Sequence, residues 1–137
     1  MPLQLSDATF FTAGVLLLTL VAVESGGLYM LALVRGRMAA TPFQVTFARA
    51  GHAHAGVLVI LSLVAQLYVD AAGLTGVHET VARNGVPLAA ILMPAGFFAS
   101  SAGPGRTQPN AAIWLVYGGA VALAAGVIAL GLGLLLR

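Results

Sequence analysis

The sequence predicts an all-α fold: an integral membrane four-helix antiparallel bundle occupying residues 1–137 as a single transmembrane domain. Hydrophobic residues make up 60% of the chain and charged residues only 7%, whereas soluble chains keep about a quarter of their residues charged. The mean hydropathy is +1.00. The apolar residues also gather into four stretches, each reaching the roughly 20 residues that a spanning helix needs. The connections between them are short, which forces antiparallel neighbours and leaves no room for a soluble domain.

The first stretch, about 8–35, follows Asp7, which can cap it. It lacks a basic leader and is far longer than a signal-peptide core, so it reads as a retained helix. The second, about 42–72, starts at Thr41-Pro42, which fits an N-cap followed by the first helical position. The third, about 77–102, has Thr75 as its cap, and Pro87 and Pro94 inside it predict a kink that frees the carbonyls of Arg83 and Ala90. The turn GPGRTQPN at 103–110 separates it from the fourth stretch, about 109–136, with Pro109 opening the helix. In that last helix Gly118, Ala122, Gly126, Ala129 and Gly133 form a small-residue stripe suited to close helix packing.

The net charge of +2 comes from six arginines, no lysine and four acids. This charge is too sparse and too dispersed for a nucleic-acid surface, so the partner is the lipid bilayer. Without cysteine the chain has no disulfide, no thiolate metal site and no cysteine nucleophile. Arg35, Arg37, Arg49 and Arg106 lie in or near the first and third connections, while Arg83 and Arg137 lie on the other side. The positive-inside bias then predicts a plasma-membrane protein with both termini extracytoplasmic.

The candidate chemistry lies in GHAHAG, residues 51–56, and in LVAVESGGLYM, where Glu24 sits inside the first helix. A charge there costs about 3 kcal/mol or more unless something compensates it. Counted from the shared hairpin, Glu24, His52 and His54 lie about 15–18 Å into their helices, and so at one depth. Arg49, three residues before His52, shares its face. Met93 and Tyr117 fall within about a turn of the same layer. Residues two apart on a helix point about 160° from each other, so His52 and His54 face different surroundings and do not chelate one ion together. The small residues around them leave space for a flat macrocycle with an axial imidazole, or for close helix packing.

Each feature also has a structural reading. Glu24 can pair with Arg49, and the histidines can hydrogen-bond between helices. His78 and Glu79 suit a solvated helix start, Trp114 and Tyr68 suit interfacial anchors, and Met93 suits core filling.

GLYM at 27–30, GHAHAGVLVILSLV at 51–64 and RNGVPLAAILMPAGFF at 83–98 together resemble small four-helix bacterial membrane proteins described as cytochrome c oxidase subunit I-like. The resemblance implies a fragment-sized relative of the heme-copper oxidase core, with His52 or His54 matching the histidine of a haem-bearing second helix. Arg83 stands where that pattern has a histidine, and no later helix carries paired histidines for copper. The resemblance therefore implies haem binding, electron transfer or gas sensing more than oxygen reduction.

The leading expectation is a site in which His52 or His54 ligates haem, or alternatively copper or no cofactor, with Tyr117 nearby and with Glu24 and Arg49 pairing with a haem propionate, a quinone or each other. One chain supplies too few imidazoles for a two-histidine haem, which predicts a homo-oligomer, dimer or trimer. From a different class comes a proton-coupled exporter of the small multidrug type, using Glu24 without any cofactor. The third reading is a structural accessory subunit of a larger respiratory or other membrane complex.

Overall fold

The computed structural model describes residues 4–136. It consists of four helices, α1 Asp7–Val34, α2 Pro42–Ala72, α3 Gly76–Ser101 and α4 Ile113–Leu135, each long and apolar enough to cross a membrane. The chain is a multi-pass four-helix membrane protein. Lipid explains why Phe11, Leu18, Val21 and Trp114 stand exposed, since hydrocarbon covers such residues at no cost.

Helix ends follow local hydrogen-bond demand, and three differ from expectation. Ser6, rather than Asp7, caps α1 by accepting from the Thr9 amide at 3.2 Å. Thr41 caps α2 as expected and forms a capping box with Gln44. The Gln44 side chain also donates to the carbonyls of Ser101 and Gly103, and Thr41 donates to that of Arg106, which ties the start of α2 to the α3–α4 turn. Thr75 occupies the N-cap position of α3 but makes no side-chain cap bond. The fourth helix starts at Ile113, not at Pro109, because Asn110 closes the turn first. Its backbone N–H donates to the Ser100 carbonyl, its side-chain amide donates to Ala99, and its side-chain oxygen accepts from the Ala112 amide.

The helices pack in a row, α2 against α1, α3 against α2 and α4 against α3, with α4 also touching α2. Most of the core lies among α2, α3 and α4. Ala65, Val69, Ala82, Val86 and Leu130 fill one end, and Leu58, Ala89, Met93 and Val116 fill the middle. Met93 is core, as its structural reading held. At the other end Met30, Leu33 and Ala48 enclose Phe98.

Glycines set the closeness of α3 and α4. A Cβ on Gly85 would stand 2.6 Å from the Gly126 Cα, and one on Gly119 would stand 3.0 Å from the Met93 amide nitrogen. The contact stripe on α4 is therefore Gly119 and Gly126 against α3 and Gly133 against Leu74 of the α2–α3 connection, all buried. Gly118, assigned to the stripe from its four-residue spacing, is exposed instead. The seven-residue spacing of the observed stripe belongs to left-handed packing, in which the contact face drifts around the helix.

Replacing Gly126 by Val should lower stability by about 1–3 kcal/mol in detergent unfolding, the usual cost of overpacking. Gly118→Ala, whose Cβ would meet only Leu92 at an ordinary 4.0 Å, should leave the unfolding curve in place.

Candidate functional site

Two features of the fold define the site: a polar clamp at one end of the row and an apolar cleft beside it. The clamp centres on Arg83, which is only 8% exposed. Its Nη2 donates to Asp70 Oδ1 at 2.7 Å and to Glu79 Oε1 at 3.0 Å. Its Nη1 donates to Thr9 Oγ1 at 2.7 Å and to Gln66 Oε1 at 3.0 Å. One guanidinium thus joins α1, α2 and α3. Asp70 also accepts from the Ser6 amide and hydroxyl at 2.8 and 2.9 Å, so both sides of the clamp hold the start of α1.

Proline chemistry completes it. Pro87 has no N–H for the Arg83 carbonyl, and the fully buried Gln66 side chain donates to that carbonyl at 2.8 Å. Asp70 lies in the last turn of α2, where the helix dipole disfavours an acid, so the arginine offsets an unfavourable position as well as burial. Arg83 Nε is buried with no partner, the one such side-chain atom among the described residues.

At the opposite end α1 meets α3 through Tyr29 and Phe98, whose rings sit edge to face at 6.3 Å. Between these two ends a cavity of about 360 Å³ separates α1 from α3, with α2 as its floor. Its walls include Leu16, Ala22, Val59, Ala90, Ile91 and Phe98, and His52 is the sole ionisable residue lining it. The His52 ring lies against α1, and a Cβ on Gly26 would be 3.2 Å from its Nδ1. Glycines at 26 and 27 therefore make the seat for this imidazole. Pro94 leaves the Ala90 carbonyl without its i+4 donor on the same wall.

His54 faces the other way, as two-residue spacing requires. Its ring packs on Phe97 of α3 at 5.0 Å. Its Nδ1 is 2.7 Å from the Ala50 carbonyl, an oxygen that can only accept, so this nitrogen carries the proton.

The anticipated layer is therefore split. Glu24 is exposed on α1, two residues and about 160° around the helix from the Gly26 seat, and Arg49 is exposed on α2. Neither takes part in an ion pair among the described residues, where the two ion pairs both belong to Arg83. Tyr117 is 54% exposed and stacks edge to face on Trp114 at 5.3 Å, on the outer side of α4 and away from both histidines. Among the described residues no three His, Asp or Glu side chains converge as a metal site.

Sequence reasoning missed the clamp. Its signal was a pair of four-residue spacings, Gln66 to Asp70 and Glu79 to Arg83, flanking one short connection. Placing His78 and Glu79 in a solvated helix start obscured it. His78 is exposed, yet its Nε2 lies 2.6 Å from the Ala129 carbonyl of α4.

A haem would find apolar walls and one imidazole in this cleft. It would find neither a second axial ligand nor a cation for its propionates, since His54 and Arg49 point elsewhere and Arg83 is engaged. Comparison with family models, with curated proteins and with solved structures finds no match to the chain.

Removing the arginine as Arg83→Leu strands two carboxylates and should cost about 3 kcal/mol or more in an unfolding titration. Gln66→Leu, which orphans the Arg83 carbonyl, should cost about 1–3 kcal/mol.

Proposed function

We propose that the cleft between α1, α2 and α3 binds a lipophilic small molecule drawn from the bilayer, with His52 as its polar contact. The observation that carries this reading is a mostly apolar cavity of about 360 Å³ in which His52 is the one ionisable group and Thr12 and Thr19 are the other polar side chains. That size lies in the range of small-molecule sites, which are mostly apolar with a few placed polar groups. The imidazole offers a ring nitrogen, and Thr12 on the α1 wall offers a hydroxyl. A quinone-like head, or another amphiphile with one or two polar atoms, matches this pair. The apolar walls accommodate its tail.

Haem remains the cofactor that the resemblance implies, with His52 as the single axial imidazole and any second ligand supplied from outside the chain. Iron held in that way would supply electron transfer or gas binding, and the protein's part would be ligation and burial. The absence of a propionate partner in the cleft favours the quinone-like class. For copper, no three His, Asp or Glu side chains converge among the described residues. Glu24 lies off the cleft, so the geometry does not join it to this ligand site as the exporter reading requires.

Extraction of protein purified from its native membrane, followed by mass spectrometry and an absorption spectrum, tests the reading. The expected result is a stoichiometric lipophile, a quinone-like compound or a haem with its Soret band. His52→Ala should reduce occupancy roughly tenfold or more, the loss of about one strong polar contact. Ala90→Phe, which narrows the cavity, should reduce it further. Empty protein that also fails to bind an added quinone analogue would refute the proposal.

A further inference from the structure

Among the described residues, Glu24 and Arg49 are charges within membrane-spanning helices that the fold leaves without an ion pair, Glu24 toward the middle of α1 and Arg49 two turns into α2. Glu24 is ten residues from the end of α1, about 15 Å from the hairpin, and it is exposed. Lipid gives an ionised carboxylate no hydrogen-bond partner. Arg49 is exposed as well, seven residues into α2.

Both project from the same side of the α1–α2 hairpin. On α2, the residues against α1 centre on His52 and those against α3 include Gly51, and Arg49 lies about 60° around from His52 on the side away from Gly51. On α1, cleft-facing Ala22 and Gly26 lie on one side of the α2 contact and Glu24 lies on the other. His52 is level with Gly26 and Gly27. Counting along antiparallel helices then puts Glu24 and Arg49 about 8 Å apart in height, a span their two side chains can bridge.

We infer that this back face of the α1–α2 hairpin is the interface between two copies of the chain, Glu24 of each copy pairing with Arg49 of the other. A two-fold axis along the membrane normal preserves height and makes the contact twice, because a face carrying one acid and one base is self-complementary. The apolar neighbours on this face, Leu17, Leu28, Val57 and Ile60, are exposed. They supply surface but no argument, since lipid covers them equally well. The two charges select a second copy over lipid. This inference is independent of the cleft ligand.

The test uses charge reversal in lipid nanodiscs, with subunit number read by native mass spectrometry or photobleaching. Wild type should be dimeric. Glu24→Arg and Arg49→Glu should each weaken association about tenfold or more, since opposite charges become like charges across the interface. Mixing the two variants should restore a heterodimer, because both contacts again join opposite charges. Pairing within one chain gives no such rescue by mixing. Glu24→Gln and Arg49→Gln, which insert more easily, should each shift the population toward monomer. A monomeric wild type, unaltered association in the variants, or no rescue on mixing would overturn the inference.

Discussion

The Arg83 guanidinium determines how the first helix sits on the other three. In lipid the apolar surface of α1 gains nothing by leaving hydrocarbon for another helix, so its position has to come from directional contacts. The clamp to Thr9, Gln66, Asp70 and Glu79 supplies them at one end. Aromatic packing of Tyr29 and Phe98 supplies them at the other. Anchored at both ends, α1 stands away from α3 in between, and the cleft is the consequence. The close glycine contacts at Gly85 and Gly126 do the opposite for α3 and α4, which pack with no gap.

This arrangement relates the polar end to the candidate ligand site. Pro87 breaks a backbone hydrogen bond, Gln66 repairs it, and the same Gln66 orients Arg83. One turn further along α3 than Pro87, Ala90 reaches the cleft wall with a carbonyl that Pro94 has freed. The carbonyl that Pro87 frees is thus satisfied by Gln66, whereas the one that Pro94 frees belongs to a residue of the cleft wall. His52 is placed there by glycines on α1, which let an imidazole lie against a backbone where any side chain would crowd it.

Much of the fold was legible because hydropathy in long stretches is a strong signal. Four spans, the Thr41 cap and the opposed directions of His52 and His54 all follow from composition and helical period. The start of α4 was less legible, since Asn110 outcompetes Pro109 through three hydrogen bonds that no residue pattern announces. Depth along a helix was also legible, and His52 does lie level with the glycines next to Glu24. Rotation about the axis was not, and it separates Glu24 from the imidazoles. The clamp stayed hidden because Thr9, Gln66 and Arg83 come from three helices, and only tertiary packing brings them together.

The most direct measurement of this account is the distance between spin labels on α1 and α3. Labels at exposed Phe11 and Asn84 in the cysteine-free chain report whether Arg83 holds α1 in place. With Arg83 intact the account predicts one narrow distance distribution. With Arg83→Gln it predicts a broad one, while helical content persists. An equally narrow distribution in both proteins would show that α1 is positioned by something else.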